Sequence, residues 1–411
     1  MDWAAKRTLL GLSIVTIAGC AAVGDAEDTE SEVFTREQAI VYGRDDRQDL
    51  YEVEDPVLRE VARSSVAALI KTPLVHRLAT GDVRISQTTL RQTYNLCDGQ
   101  RFADQPAAAT CSGVLIDKDL LITAGHCVET DDDCRSYAFV FDYAYGDEGQ
   151  LEEVSSSDVY ACRHVVLRTF TETKSDFAIV QLDRVPSARS PVTVRKGAMT
   201  VSDPVIALGF TSGLPLKIDR GAMVQDARTS QYDFFALNSD TFEGSSGSAI
   251  LDSSYALAGV LVRGGDDYKE TANGCRVANQ VPADSGAPEW RWEQATYAGA
   301  AIDALCATGY PSMRLCGIEP SCGDGVCSLD PVDADCAADC EDFCRTNGCY
   351  KGSGSAVPGG PAKRRSFEAD ENCSVTAPGS HAGSGGVASL GGLMLGLAGL
   401  WGRRTRRRKR A

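Results

Sequence analysis

A chain of 411 residues with 43% hydrophobic content is long enough for one large folded core plus accessory segments. Its formal net charge of −16 argues against nucleic acid as a partner for the body of the protein, although the last residues are strongly basic. Sixteen cysteines behind an export signal indicate an oxidising compartment.

Residues 1–19 carry Lys6 and Arg7 and then an apolar run from Leu9 to Ala18, the pattern of a signal peptide. The run ends Ile17-Ala18-Gly19-Cys20, which resembles a bacterial lipobox, where small residues precede a cysteine that becomes lipid-modified. Ordinary cleavage near Ala21 or Ala22 is the alternative. One acyl chain binds membranes weakly, whereas several on one cysteine anchor firmly. Residues 20–39 are acidic and poor in apolar side chains, so they read as a flexible leader.

Residues 40–305 form the body. Val66 to Ile70 reads as a strand, and Leu96 to Ala109 as a loop. Thr110 to Val128, TCSGVLIDKDLLITAGHCV, has strand-spaced apolar residues around an Asp-Lys-Asp turn, so a hairpin is predicted that runs into His126 and Cys127. Further strands are predicted over Tyr137–Tyr145, Val159–Phe170 and Asp176–Leu182. A connector, Pro191–Ser202, precedes strands at Pro204–Phe210, Pro215–Gln225, Tyr232–Leu237, Ser248–Leu251 and Leu257–Val262. Many short strands separated by turn residues predict an all-β protein of two barrels. Trp290 to Leu305 has few breakers and an apolar face, predicting a terminal helix packed on the second barrel.

At Cys306 the character changes. Residues 306–349 hold eight cysteines in an acidic segment with little apolar content, too small a module to stand without disulfides. It is similar to cysteine-rich repeats of myxobacterial surface proteins. Zinc is the rival reading, but an exported chain favours disulfides. Asp324, Asp330, Asp333 and Asp335 could hold calcium or simply form a solvated face; no other metal and no organic cofactor is expected. Residues 350–386 are a Gly-, Ser- and Pro-rich linker. Residues 387–411 join an apolar stretch, Val387 to Trp401, to a run of arginines. That stretch is shorter than the roughly 20 residues that usually span a bilayer. With Cys373 upstream it resembles the C-terminal sorting signal of myxobacterial surface proteins, and the basic run follows the positive-inside pattern.

Three segments carry a closer resemblance, in the order His, Asp, Ser. Ala124-Gly125-His126-Cys127, Asp176-Phe177-Ala178-Ile179-Val180 and Gly244-Ser245-Ser246-Gly247-Ser248 are similar to the catalytic segments of trypsin- and chymotrypsin-like serine peptidases. The GxSGS form, and the start Val41-Tyr42-Gly43-Arg44-Asp45-Asp46-Arg47, resemble the bacterial V8-like branch related to glutamyl endopeptidases. The resemblance implies a chymotrypsin-like double β-barrel with a C-terminal helix. It implies a disulfide between Cys111 and Cys127, and leaves the other pairings of the fourteen cysteines besides Cys20 and Cys373 undetermined.

It further implies that His126 takes the proton of Ser246, that Asp176 orients the imidazole, and that the N–H groups of Gly244 and Ser246 form the oxyanion hole. The other three histidines do not compete: His76 and His164 lie in no recognisable catalytic setting, and His381 is in the linker. Ser245 stands where trypsin-like zymogens have the Asp that meets a newly freed ammonium, so that activation route is not available. Ala249 replaces a usual Pro, a tolerable change.

For specificity, the family register puts Asp240 at the base of the substrate pocket and Gly264 at its mouth. Val260, Leu261 and Val262 supply no histidine of the kind that V8-type peptidases use for glutamate. Cleavage after Arg or Lys follows, unless Asp240 caps a turn and points away or Arg263 neutralises it. The predicted protein is an exported serine endopeptidase at the cell surface, outer membrane or outside the cell. It acts on protein or peptide substrates and is held to a membrane by one or both chain ends. The rival is a silent or ancillary barrel whose cysteine-rich module engages a surface partner.

Overall fold

In a computed structural model the described residues are 41–321, apart from 172–173, 266 and 282–291, together with Val326. Of the chain's two compact units, Met1–Cys340 contains all of these, and Glu341–Ala411 lies outside them. Cys20, Cys373, the four aspartates considered for calcium, the leader, the linker and the sorting tail also lie outside the described residues.

Six strands close the first barrel: β1 (Val66–Lys71), β2 (Ala109–Leu115), β3 (Leu120–Thr123), β4 (Tyr137–Val140), β5 (Val159–Phe170) and β6 (Asp176–Leu182). Their order around the ring is β4-β5-β6-β3-β2-β1. β2 and β3 are the expected hairpin, pairing Val114 with Ile122. Leu69, Ile122, Phe139 and Ile179 are fully buried, each contributing about 1.5–3 kcal/mol. β6 is buried at all seven residues, and so lacks the alternation of a half-exposed strand. The expected strand over Tyr137–Tyr145 stops at Val140, because the chain turns at Asp142 (φ 60°).

The second barrel comprises β7 (Pro204–Gly209), β8 (Lys217–Asp226), β9 (Phe234–Leu237), β10 (Ala249–Leu251), β11 (Leu257–Arg263) and β12 (Glu293–Tyr297). The order is β7-β10-β11-β12-β9-β8, and pairing of β7 with β8 closes it. Gln48–Asp49 adds an outer strand along β8.

Two helices bound this body. α1 (Pro56–Ser65) starts with Pro at its first position and Asp55 as N-cap, accepting from the Val57 and Leu58 N–H groups. The Asp55-Pro56 pair is its local sequence signal. α2 (Ala298–Ala307) is shorter than the predicted helix. The first part of that segment is β12, whose backbone is claimed by β9 and β11 on either side.

Four disulfides occur among the described residues: Cys111–Cys127 as the resemblance implies, with Cys97–Cys275, Cys134–Cys162 and Cys306–Cys316. The last corrects the boundary placed at residue 305. Cys306 sits in α2, and residues beyond Cys306 return to the first barrel. There the Arg314 guanidinium donates to the Ile116, Pro191 and Val192 carbonyls, and Ser312 bonds Asp117.

Candidate active site

His126 follows β3, Asp176 begins β6 and Ser246 lies in the turn between β9 and β10. The barrels bring all three together. The His126 Nδ1 is 2.7 Å from Asp176 Oδ2, and its Nε2 is 2.8 Å from Ser246 Oγ. The His126 N–H also donates to Asp176 Oδ1 at 3.1 Å, so both carboxylate oxygens hold one residue. Asp176 is buried, whereas His126 is exposed to a substrate. A Cβ on Gly125 would stand 2.7 Å from the Thr169 carbonyl and 2.9 Å from Asp176 Oδ1, so only glycine lets the aspartate approach this closely. Arg168 Nε donates to the Gly125 carbonyl at 2.7 Å, and the Cys111–Cys127 disulfide closes the other side.

The turn that carries Ser246 needs its two glycines. Gly244 and Gly247 have φ of +87° and +84°, a region L side chains rarely adopt. A Cβ on Gly247 would lie 2.0 Å from the Ser112 carbonyl. Ser112 braces the turn in return: its N–H donates to the Ser246 carbonyl at 2.7 Å, and its Oγ lies 3.1 Å from Ser248 Oγ. Ser248 is therefore buried in packing contacts, and Ser246 is the serine that faces His126.

The peptide joining Glu243 to Gly244 is oriented from outside the turn. The Ser212 N–H donates to the Glu243 carbonyl at 2.6 Å. A trans peptide points its C=O and N–H in opposite directions, so this bond aims the Gly244 N–H away from Ser212. Among the described residues neither the Gly244 nor the Ser246 N–H donates to a protein acceptor. Ser245, in the zymogen aspartate position, accepts the Phe242 N–H on its Oγ at 3.2 Å and is buried. No ammonium is needed to set this geometry.

Of the other histidines, His76 Nε2 lies 2.8 Å from Ser86 Oγ, and His164 sits on β5, where burial lowers its pKa. His381 lies outside the described residues.

Asp240 does not hold the position expected of it. Its Oδ1 accepts the Tyr42 N–H at 2.9 Å and its Oδ2 the Asp46 N–H at 2.8 Å, so the carboxylate caps the N-terminal segment. Burial, and then the adjacent Asp219, push its pKa up to about 7. Gly264 lies against Glu293. Its missing side chain leaves room for the Glu293 carboxylate, which a Cβ would meet at 2.2 Å. Arg263 does not fold toward Asp240; it donates to Gln294 Oε1 and to the Lys174 carbonyl.

Sequence reasoning missed two buried residues of β12 near the site, Thr296 and Glu293, because their segment reads as helix. A cavity of about 300 Å³ lies elsewhere, between Asp117–Leu120 and residues 310–320, and no triad residue lines it.

Two six-stranded barrels with a Ser-His-Asp chain of hydrogen bonds where they meet have the architecture of a trypsin-like serine peptidase. In agreement, residues 111–260 match the family model described as the trypsin-like peptidase domain, 150 of the chain's 411 residues. Among solved structures, a Glu endopeptidase is similar at 17% identity and a TM-score of 0.39, with 66% of this chain and 99% of that one covered. The VesB protease of Vibrio cholerae is similar at 13% identity and a TM-score of 0.39, with 65% and 68% covered. No curated protein sequence matches the chain. The family match and the strand topology support a serine peptidase.

Proposed function

We propose that the protein is an exported serine endopeptidase that cleaves peptide bonds through Ser246, His126 and Asp176. The observation that carries this reading is the continuous chain of hydrogen bonds from Asp176 through His126 to Ser246 Oγ. Ser246 Oγ attacks the scissile carbonyl carbon while its proton passes to His126 Nε2. The carbonyl oxygen becomes an oxyanion facing the Gly244 and Ser246 N–H groups, each such donor being worth roughly a hundredfold to a thousandfold in rate. As the intermediate collapses, the departing amine takes the proton from Nε2. Water, deprotonated by His126, then releases the acyl group from Ser246. Asp176 stays ionised throughout, accepting from Nδ1–H and balancing the imidazolium.

The four disulfides are compatible with an oxidising, extracytoplasmic location. Retention at the surface through Cys20, Cys373 or both belongs to the same proposal. It predicts that Cys20→Ala leaves the signal uncleaved or releases the protein from membrane fractions.

A fluorophosphonate probe tests the chemistry. Ser246 should be labelled, and both labelling and peptide hydrolysis should vanish in Ser246→Ala. Labelling that survives in that variant but disappears in Ser248→Ala would reject the assignment.

A further inference from the structure

Glu293 opens β12 with its side chain turned inward and is 1% exposed. Its Oε2 accepts the Thr241 hydroxyl at 2.8 Å, and the Gly265 backbone N–H also favours the ionised carboxyl, while among the described residues the buried Oε1 has no well-formed hydrogen bond. Basic residues around it are committed elsewhere: Arg47 pairs with Asp45 at 2.7 Å, Lys217 with Asp49 at 2.6 Å, and Arg263 bonds Gln294 and Lys174. Among the described residues, the charges of Asp267 and Asp240, both of the same sign, act on it. Burial, with these two acids adding to it, holds the Glu293 carboxyl well above the usual carboxylate range. A structural glutamate so placed is a poor solution, since an unpaired buried carboxyl oxygen is costly and an amide or hydroxyl would serve as well.

Its position relates it to the chemistry. Thr241 lies five residues before Ser246, on the chain entering the nucleophile turn. On the other side β11 bonds that turn directly, the Gly247 N–H donating to the Leu261 carbonyl at 2.7 Å and the Leu261 N–H to the Ser248 carbonyl at 3.0 Å. Gly264 follows β11, and its missing Cβ is what admits the Glu293 carboxylate, 2.2 Å from where that atom would be. The acid therefore sits between the two segments that flank the nucleophile.

We infer that Glu293, and not Asp240, reads the side chain preceding the scissile bond, and that it selects lysine or arginine. This rests on the peptidase reading above and adds the substrate class to it. A cationic side chain entering between Thr241 and Gly264 supplies Glu293 Oε1 with an ionic partner. It also favours the ionised carboxyl, which burial alone disfavours. An acidic side chain in the same place would meet Glu293, Asp240 and Asp267 together, so cleavage after glutamate is disfavoured.

The test uses peptides identical except for Lys, Arg, Glu, Ala or Phe before the scissile bond, with fluorophosphonate labelling of Ser246 run in parallel. The wild-type chain is expected to prefer Lys and Arg. Glu293→Gln, which keeps the shape and can still accept the Thr241 hydroxyl, should lower kcat/KM for those two by roughly a hundredfold. The Ala peptide should change by less than about threefold and labelling should persist, because only the charge pair is lost. Asp240→Asn should leave the preference for Lys and Arg in place. Labelling with an unchanged profile in Glu293→Gln, or a wild-type preference for Glu, Ala or Phe, would overturn the assignment of Glu293 alone. Failure of the wild-type chain to label or hydrolyse any peptide would overturn the peptidase reading, and this inference with it.

Discussion

Thr296 Oγ1 donates to the Asp176 carbonyl at 3.0 Å and accepts the Asp176 N–H at 3.1 Å, tying the aspartate proposed for the triad, in the first barrel, to β12 of the second. Both residues are buried, so neither bond is exchanged with water. Replacing Thr296 by the isosteric valine would leave a buried N–H and C=O unpaired, at a cost of about 1–3 kcal/mol. The expected result is a folded protein with lower kcat, an almost unchanged KM, and recovery in Thr296→Ser. If Thr296→Val loses stability but keeps the wild-type kcat, the bonds serve the fold and not the alignment of the triad.

The two glycines of the nucleophile turn should fail in different ways. A Cβ on Gly244 meets its nearest atom, the Gly213 nitrogen, at 3.1 Å, so Gly244→Ala strains the backbone without a severe collision. It should fold and lose up to about a hundredfold in kcat through a displaced oxyanion donor. Gly247→Ala collides with the Ser112 carbonyl and the Thr123 hydroxyl across the barrel contact, at 2.0 and 2.5 Å. It should not accumulate as soluble protein. Comparable folding yields for the two variants would contradict this account.

The pH dependence of stability should carry the mark of Asp240. Its folded-state pKa of about 7 lies above the ordinary aspartate value of 3.8, so the native state binds the extra proton between those values. Stability from this group is therefore full below about pH 4 and is lost as pH rises toward 7, by up to about 4 kcal/mol. Asp240→Asn cannot titrate. Measured by denaturant unfolding, its stability relative to wild type should improve steadily from pH 4 to pH 8. Parallel curves would show that Asp240 does not hold the proton.

Where the chain is cut should matter near residue 305. Ending it after Leu305 removes the Cys306–Cys316 disulfide and the three carbonyl contacts of Arg314 on the first barrel. Loss of such a disulfide typically costs about 2–4 kcal/mol. Ending the chain after Ser321 keeps all of these. The longer fragment is expected to be clearly more stable in thermal unfolding with hydrolysis retained; equal stability would mean that residues 306–321 add nothing to the body.

Most of the fold was legible because strand signals are local. Val66–Lys71, Val159–Phe170 and Leu257–Arg263 each show their apolar content and turn boundaries within a few residues. The proposed triad was legible for a related reason, since His126, Asp176 and Ser246, which the fold brings within hydrogen-bond reach, each stand in a short motif whose glycines or cysteines report a backbone demand. β12 was not. Its residues, Glu293 to Tyr297, become a strand only because β9 and β11 leave an open edge on each side, and that partnership is invisible in the segment itself. The same holds for the acids. Position in a motif suggested Asp240 for the pocket, but a carboxylate's role depends on which donors reach it. Backbone N–H groups nearly 200 residues away, at Tyr42 and Asp46, take both oxygens of Asp240, while among the described residues Glu293 keeps one oxygen without a well-formed bond. Local pattern therefore determined the strands and the motifs behind the proposed nucleophilic chemistry, and the long-range closure of the second barrel decided which acid lies buried beside the Ser246 turn without an ionic partner among the described residues.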